Sequence, residues 1–148
     1  DRIANTFSAI HKYKKDILVI DFGTATTLDI VQAGKGYVGG IIIPGVMVSL
    51  EALCKKTEKL PKINIEIPER LIGKNTIGSM HSGIFFGYSG MVDVLVEKIS
   101  LEMEIKFKVI ATGGLANKIL SGMKTVELVD EELTLKGLNY IYHNYPVY

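Results

Sequence analysis

Two apolar runs joined by a short polar turn constrain the fold of this chain more than any other stretch. Residues 17–20 (ILVI) and 26–31 (TTLDIV) are rich in the β-branched and apolar side chains typical of strands. Gly23 stands between them, where the lack of a side chain lets the backbone turn without a clash. We therefore predict two antiparallel strands joined by a polar turn.

The polar groups of this turn suit a bound nucleotide. Backbone N–H groups and the hydroxyls of Thr24, Thr26 and Thr27 are neutral donors that can face a phosphate. Asp21 would repel a phosphate unless a cation lies between the two. The turn therefore indicates a site for a nucleotide with a metal ion. An ordinary hairpin with a polar tip is the structural alternative, because short turn motifs often arise by chance.

The composition disfavours several classes of protein. The chain has 148 residues, of which 47% are hydrophobic, enough for one domain with a compact core. Its 17 basic and 16 acidic residues give a net charge of +1, which offers no electrostatic basis for binding nucleic acid. The single cysteine, Cys54, excludes an intrachain disulfide. No apolar run approaches the roughly 18–20 residues of a membrane span. We expect a cytoplasmic protein that binds neither nucleic acid nor membrane.

Apolar periodicity predicts the remaining helices and strands. A third strand at residues 37–43 follows a glycine turn and completes a three-stranded antiparallel meander. Residues 57–78 show no clear period and are expected to form a long irregular segment of the functional or mobile kind. The other predicted elements are helices at 2–13, 46–55, 79–103, 115–121 and 131–144, and strands at 107–111 and 125–129. This order predicts an α/β domain with a mixed sheet and helices on both faces.

Helical spacing also predicts which residues face the core and which cap the helices. Asp130 is expected to cap the last helix, and Thr76 or Ser79 to cap the long helix. The apolar residues that share one helical face are Ile3, Phe7 and Ile10 in the first helix, and Leu135, Leu138 and Ile141 in the last. We expect both of these faces to be buried.

The first half of the long helix is rich in glycine. Gly83, Gly87 and Gly90 each lower the stability of a helix, so that close approach of another element explains them better. Such a helix fits the core of the domain or a contact between subunits, and the sequence leaves both open.

Two further polar segments are candidates for ligand binding. Residues 111–114 (ATGG) follow a predicted strand, where missing side chains let a flat group such as a nucleoside lie against the backbone. A tightly packed helix entry is the alternative. Asn75 and Thr76 fit either a small polar substrate or a helix cap. The chain has no GxxxxGK[ST] or GxGxxG motif, and its three histidines lack metal-binding spacing.

Taken together, these segments resemble the type III pantothenate kinase family. The match extends over almost the whole chain, and although each piece is short, their order and spacing are jointly specific. The matching pieces are residues 1–5 (DRIAN), 21–27 (DFGTATT), 39–45 (GGIIIPG), 49–53 (SLEAL), 57–61 (TEKLP), 72–76 (IGKNT), 79–83 (SMHSG) and 111–116 (ATGGLA).

The resemblance implies the architecture of acetate and sugar kinases, Hsp70 and actin, in which two ribonuclease-H-like domains hold ATP between them. Residues 1–148 would be the C-terminal domain of such a pair. The implied activity is ATP-dependent phosphorylation of pantothenate to 4'-phosphopantothenate, the first step of coenzyme A biosynthesis. Family members use Mg²⁺ with ATP and a monovalent cation, K⁺ or NH₄⁺, and are cytoplasmic homodimers. We expect the helix at 79–103 to form the dimer contact.

The functional residues of the family transfer to this chain position by position. Asp1 matches the general base on the pantothenate hydroxyl, and Arg2 and Thr76 match residues that contact pantothenate. Asp21 matches the ligand of the monovalent cation. The residues that match ATP-binding positions are Gly23, Thr24, Thr112, Gly113 and Gly114. These roles suit phosphoryl transfer, because a carboxylate can accept the proton of an alcohol while cations and donors hold the phosphates.

The chain departs from the family pattern at its start. The family's N-terminal domain, with its DxGNT phosphate turn, and the glycine of its GxDR motif are absent, and the chain opens on Asp1 as a fragment or a processed piece would. A terminal aspartate lies beside an α-amino group and frays. We therefore expect this piece alone to be inactive or nearly so. A kinase-like fold retained as a non-catalytic binding or regulatory module is the alternative interpretation.

Overall fold

The computed structural model of the chain describes residues 2–57 and 59–145. Its strands are β1 Ile17–Phe22, β2 Ala25–Gln32, β3 Gly36–Pro44, β4 Lys108–Thr112 and β5 Leu128–Val129. Its helices are α1 Arg2–Tyr13, α2 Val46–Lys56, α3 Thr76–Met103, α4 Ala116–Ile119 and α5 Leu133–Asn144, and a 3₁₀ turn at Leu120–Gly122 follows α4. Every element predicted from the sequence is present, although β5 is shorter than predicted and α3 begins earlier, at Thr76.

The strands form one mixed sheet in the order β3-β2-β1-β4-β5. Short turns join β1 to β2 and β2 to β3, and both pairs are antiparallel, as such connections require. Strand β4 runs parallel to β1, and β5 runs parallel to β4. The chain crosses from β3 to β4 through α2 and α3, which is the long connection that a parallel strand needs. The predicted mixed sheet with an antiparallel meander is confirmed.

Helices cover both faces of the sheet, as predicted. Leu18, Ile20 and Phe22 of β1 belong to the larger core, which also contains buried residues of α2 and α3. Ile17 and Val19, which alternate with them, belong to a smaller core under α1 and α5. Because β1 lies in the middle of the sheet and is packed on both faces, it has to be apolar at nearly every position.

The predicted inward faces of α1 and α5 are only partly buried, with Ile10 packed against the smaller core. Ile3 is 70% exposed and Leu135 is 67% exposed, whereas α1 buries Ala4, Ser8 and other small residues. The two helices meet through small residues. A Cβ on Gly137 of α5 would lie only 2.9 Å from the Cα of Ala4. Close contact between helices selects small side chains over large apolar ones, and this competing requirement cannot be read from apolar spacing.

The predicted helix caps are also wrong. The N-cap of α5 is Glu132, which makes no capping hydrogen bond with its side chain. Asp130 instead accepts hydrogen bonds from Lys12 and Tyr13 of α1 and forms an ion pair with Lys136. This carboxylate therefore holds α1 and the start of α5 against the sheet.

The long helix α3 is capped by Asn75 rather than by Thr76 or Ser79. The Asn75 side chain accepts a hydrogen bond of 2.7 Å from the backbone N–H of Gly78. Farther along α3, a Cβ added to Gly83, Gly87 or Gly90 would have no atom within 4 Å. No element of the described chain therefore approaches these glycines, which leaves the subunit contact as the explanation still open.

No helix within residues 2–57 and 59–145 is both long enough and apolar enough to cross a membrane.

Candidate functional site

The polar site forms where β1 and β4 end side by side. Asp21 of β1 lies opposite Thr112 of β4 in the parallel ladder and opposite Thr27 of β2 in the antiparallel one. Because β1 and β4 run in the same direction, the turns that follow them leave the sheet at one edge. The sheet therefore brings together the two glycine turns that lie far apart in the sequence.

Gly113 packs directly against the end of β1. Its φ of +92° is one that residues with side chains rarely adopt. A Cβ at this position would lie 2.7 Å from Oδ1 of Asp21 and 2.7 Å from the backbone nitrogen of Phe22. Glycine is thus required here both for backbone conformation and for space, and its close approach places residues 112–114 beside the Asp21 carboxylate.

The turn between β1 and β2 is held by backbone hydrogen bonds, and its side chains are exposed. Gly23 N–H donates to the carbonyl of Ala25 over 3.1 Å, and Gly45 N–H donates to the carbonyl of Thr24 over 3.1 Å. The second bond ties the turn to the start of α2. Since the Thr24 side chain is exposed, its hydroxyl is available to a ligand.

Asp21 is a half-buried carboxylate at the centre of this edge. Its Oδ2 accepts a hydrogen bond of 3.1 Å from Nδ2 of Asn5 in α1. Burial raises the pKa of Asp21, the bond from Asn5 lowers it, and the nearby charge of Asp29 raises it, so that the net shift is upward. A carboxylate in this position gains from a bound cation, because the cation offsets the cost of keeping the charge partly out of water.

A second carboxylate, Asp29, holds the Arg2 side chain. Nε of Arg2 donates to Oδ1 of Asp29 over 2.7 Å, and Nη2 of Arg2 donates to the Tyr37 hydroxyl over 2.6 Å. Thr27 Oγ1 donates to Oδ2 of Asp29 over 3.0 Å. Asp29 is fully buried, so the ion pair with Arg2 takes the place of the hydrogen bonds that its carboxylate would make with water. The hydrogen bond to Asp29 also raises the pKa of the Arg2 guanidinium.

Helix α1 connects the two carboxylates. Arg2 and Asn5 lie one turn apart on the same face of α1, and they reach Asp29 and Asp21 respectively. The two carboxylates project from the same face of the sheet, because Asp21 lies opposite Thr27 and Asp29 follows Thr27 by two positions. The start of α1 thus lies over the side chains of Asp29 and Asp21, and Asp21 stands beside the two glycine turns.

Two predicted site residues stand apart from this cluster. Thr76 is exposed at the start of α3, where it lines a cavity of about 480 Å³ with residues that include Leu53, Met80 and Gly83. No hydrogen bond between described residues joins Thr76 to Asp21 or Arg2. Asp1, the predicted base, lies outside the described residues.

Sequence reasoning missed three residues that organise the site, namely Asn5, Asp29 and Thr134. Asn5 belongs to the DRIAN piece, but its spacing to Asp21 carries no signal. Asp29 did offer a signal, because a carboxylate inside an apolar strand is rarely buried without a partner. Thr134 donates to Asn5 over 2.6 Å but lies 129 positions away from it in the sequence. At that distance the sequence gives no signal of the contact.

The arrangement fits a nucleotide with its cations. Oδ1 of Asp21 accepts no hydrogen bond from any described residue and faces the two glycine turns. No group of three or more His, Cys, Asp or Glu residues that could hold a metal occurs in the described chain. A cation held at Asp21 would therefore need oxygens of the ligand as well, which is how Mg²⁺ is usually bound beside phosphates.

Solved structures with the same fold include one with bound ADPNP. A conserved protein of the Baf family of transcriptional activators from Campylobacter jejuni superposes with a TM-score of 0.62 at 20% identity, covering 97% of this chain and 64% of that one. The activator of 2-hydroxyisocaproyl-CoA dehydratase from Clostridium difficile, with bound ADPNP, superposes with a TM-score of 0.56 at 13% identity, covering 91% and 61%. This chain therefore shares its fold with these two proteins.

Sequence comparison identifies the family within this class. The family model of type III pantothenate kinase matches residues 1–98, and the chain belongs to that family. The type III pantothenate kinase of Citrifermentans bemidjiense is 49% identical over 142 residues, covering 96% of this chain and 56% of the relative. That of Desulforapulum autotrophicum is 50% identical over 142 residues, covering 95% and 54%. The chain thus spans about half the length of the curated relatives it matches.

Proposed function

We propose that this chain is part of an ATP-dependent kinase that phosphorylates pantothenate to 4'-phosphopantothenate, the first step of coenzyme A biosynthesis. The observation that carries the proposal is the convergence of the Asp21 carboxylate with the turns at Gly23 and Gly113 at one edge of the sheet. This edge is where α/β folds bind ligands. The names of the relatives supply the substrate.

ATP would bind across the two glycine turns. Gly113 and Gly114 are partly exposed and leave room for a flat nucleoside, while the exposed hydroxyl of Thr24 can donate to the phosphates. Asp21 would hold a monovalent cation, K⁺ or NH₄⁺, with Mg²⁺ accompanying the nucleotide. These cations supply positive charge against the phosphates, and the residues of this chain fix where that charge lies.

Pantothenate would be bound by Arg2 and Thr76, and Asp1 would take the proton of its hydroxyl. The hydrogen bonds of Arg2 support its role in binding pantothenate. Nε and Nη2 are both engaged, whereas Nη1 makes no hydrogen bond to any described residue. An arginine held in this way presents a fixed positive charge to an anionic substrate. The assignments of Asp1 and Thr76 rest on the family resemblance alone.

We propose further that the whole protein is a homodimer that uses the exposed side of α3. Gly83, Gly87 and Gly90 leave that side open, and Val94 and Leu101 continue it with 48% and 78% exposure. A helix face of small and apolar residues allows two helices to approach closely. The contact would offset the helix stability that is lost to the glycines.

Phosphorylation of pantothenate tests the proposed activity directly. The chain would be joined to the part of a type III pantothenate kinase relative that it does not match, and incubated with ATP, Mg²⁺, a potassium salt and pantothenate. Mass spectrometry should detect 4'-phosphopantothenate, and Asp21→Asn should reduce its rate of formation by about 10–100-fold. Glu51→Gln, a change in an exposed ion pair, serves as the control.

Two outcomes would count against the kinase. ATP binding without any phosphorylated pantothenate would favour the non-catalytic module. Full activity in Asp21→Asn would exclude the role given to that carboxylate.

A further inference from the structure

Asn5 is a fully buried amide with both ends engaged. It is 0% exposed, although it lies on the second turn of a surface helix. Its Nδ2 donates to Oδ2 of Asp21 over 3.1 Å, and its Oδ1 accepts from the hydroxyl of Thr134 over 2.6 Å. The amide therefore links the end of β1 to the first turn of α5.

The chemistry of its two partners fixes the orientation of this amide. An ionised carboxylate such as that of Asp21 can only accept hydrogen bonds, so that the NH₂ end of Asn5 has to face it. The carbonyl end then faces Thr134, and the threonine hydroxyl has to donate. A flipped amide would set two oxygens against each other at Asp21, and the network therefore allows one orientation only.

Tight packing between α1 and α5 holds the partners in place. A Cβ on Gly137 would lie 2.9 Å from the Cα of Ala4, the neighbour of Asn5. Thr134 lies one turn before Gly137 on the same side of α5, so the contact that requires this glycine also sets the distance from Thr134 to Asn5. Side chains locked in this way keep a site within a few tenths of an ångström of its working geometry.

We propose that Asn5, oriented by Thr134, is a positioning residue that occupies Oδ2 of Asp21 and so presents Oδ1 to the cation. Oδ1 faces both glycine turns, because it lies 2.7 Å from the position of a Cβ on Gly113 and 3.5 Å from that of one on Gly23. The inference rests on the proposed function for the identity of the ligand. The orientation itself rests only on the contacts within this chain.

The test separates positioning from simple support of the fold. Thr134→Val removes the hydroxyl and keeps the shape, Thr134→Ser restores the hydroxyl, and Asn5→Leu removes the amide. Thr125→Val is the matched control, because the Thr125 hydroxyl also donates to a side-chain oxygen, Oδ1 of Asp93, over 2.6 Å. That bond joins the segment after the 3₁₀ turn to Asp93 of α3 and involves none of the site residues.

The first readout is the side-chain amide of Asn5 in the ¹H–¹⁵N NMR spectrum of this chain. We expect slow exchange with solvent in the wild type, in Thr134→Ser and in Thr125→Val, and fast exchange in Thr134→Val. The second readout is the K⁺ concentration needed for half-maximal binding of Mg²⁺–ATP, measured by calorimetry. It should rise about 10–100-fold in Thr134→Val and Asn5→Leu, because loss of an outer partner weakens a metal ligand by that factor. Thr134→Ser should restore the wild-type value.

The outcomes distinguish the two proposals. If Thr134→Val lowers stability but leaves both the Asn5 exchange rate and the K⁺ dependence unchanged, the positioning role is overturned. If the exchange rates follow the expected order and K⁺ has no effect on ATP binding in any variant, the orientation stands and the proposed cation site fails. If Asn5→Leu does not fold, the two Thr134 variants and the control still distinguish a positioning role from simple support of the fold.

Discussion

Nε of Arg2 donates a hydrogen bond of 2.7 Å to Oδ1 of Asp29, a carboxylate that is fully buried in the middle of β2. The pair joins the first turn of α1 to the sheet. The same guanidinium donates to the hydroxyl of Tyr37, so that one side chain crosses from the helix to both β2 and β3. A residue expected to contact substrate therefore also serves the fold.

Removal of the Asp29 charge should destabilise the chain. Asp29→Asn leaves Arg2 without its ionic partner, and we expect the free energy of unfolding to fall by about 1–3 kcal/mol, less than for a fully buried pair because Arg2 is partly exposed. Urea denaturation would measure the change. Glu51→Gln, which breaks an exposed ion pair with Lys55, should cost less than about 0.5 kcal/mol. Equal effects in the two variants would show that the Asp29 pair contributes little.

A methyl group on Gly113 should lower the stability of the chain. Gly113→Ala combines a strained positive φ with contact against Asp21, and we expect a loss of about 2–4 kcal/mol in the free energy of unfolding. Gly34→Ala is the control, because Gly34 also has a positive φ, +78°, but a Cβ there would meet no atom within 4 Å. The difference between the two variants in thermal unfolding isolates the contact with Asp21. No difference would mean that residues 112–114 can move away from β1 freely.

The Asp21 carboxylate should lower the stability of the cation-free chain at neutral pH. Its pKa is raised by burial, so the folded state holds the proton more tightly than the unfolded state and stability falls as the pH rises through the raised pKa. Asp21→Asn should therefore unfold at a higher temperature than the wild type at pH 7. The gap should close below the ordinary value of 3.8, where the wild-type carboxyl is protonated in both states. Calorimetric scans between pH 3 and pH 7 would test this, and a variant less stable than the wild type at pH 7 would contradict it.

Asp130 should have the opposite effect on stability. Burial alone would raise the pKa of Asp130, but the hydrogen bonds from Lys12 and Tyr13 and the charges of Lys12 and Lys136 outweigh it, and the net shift is downward. The resulting stabilisation is present above the ordinary value of 3.8 and is lost as the pH falls through the lowered pKa.

The corresponding variant is Asp130→Asn. It should cost about 1–3 kcal/mol in the free energy of unfolding at pH 7 and progressively less in acid. Urea unfolding at a series of pH values would measure this difference. Glu127→Gln, which breaks a partly exposed ion pair with Lys108, should cost less at pH 7. A cost for Asp130→Asn that does not depend on pH would rule out the ion pairs as its source.

A bulky residue on the glycine face of α3 should prevent dimer formation. Gly87→Leu places a large side chain where the proposed contact requires none, and the mass in solution should fall to that of a monomer. Light scattering would measure it on the chain joined to the remaining part of a relative. Lys118→Leu adds the same exposed apolar group on α4 and should leave the mass unchanged. A dimer that survives Gly87→Leu would place the interface elsewhere.

Much of the fold could be predicted from the sequence, because the signals are local. The unbroken apolar run of β1 marks a strand packed on both faces, and the turns after β1 and β2 force antiparallel neighbours. The apolar face of Val92, Val96 and Ile99 in α3 is buried as helical spacing predicts. The candidate site was predictable where glycine and carboxylate stand together in a short motif, as at residues 21–24.

The rest depended on contacts between distant parts of the chain. Ile3 and Leu135 stay exposed because Ala4 and Gly137 bring α1 and α5 together through small residues, a preference set by the partner helix. The bonds of Asn5 to Asp21 and Thr134 join three elements, and no spacing within one segment encodes them.

The sequence by itself determined which segments are strands and helices, which turns carry glycine and carboxylate, and to which family the chain belongs, because each of these depends on neighbours along the chain. Only the tertiary structure decided that Asp29 holds Arg2, that Asn5 leaves one oxygen of Asp21 available, and that the glycines of α3 face outward. Hydrogen bonds and close packing depend on distances in space, and those distances exist only once the sheet and its two layers of helices have assembled.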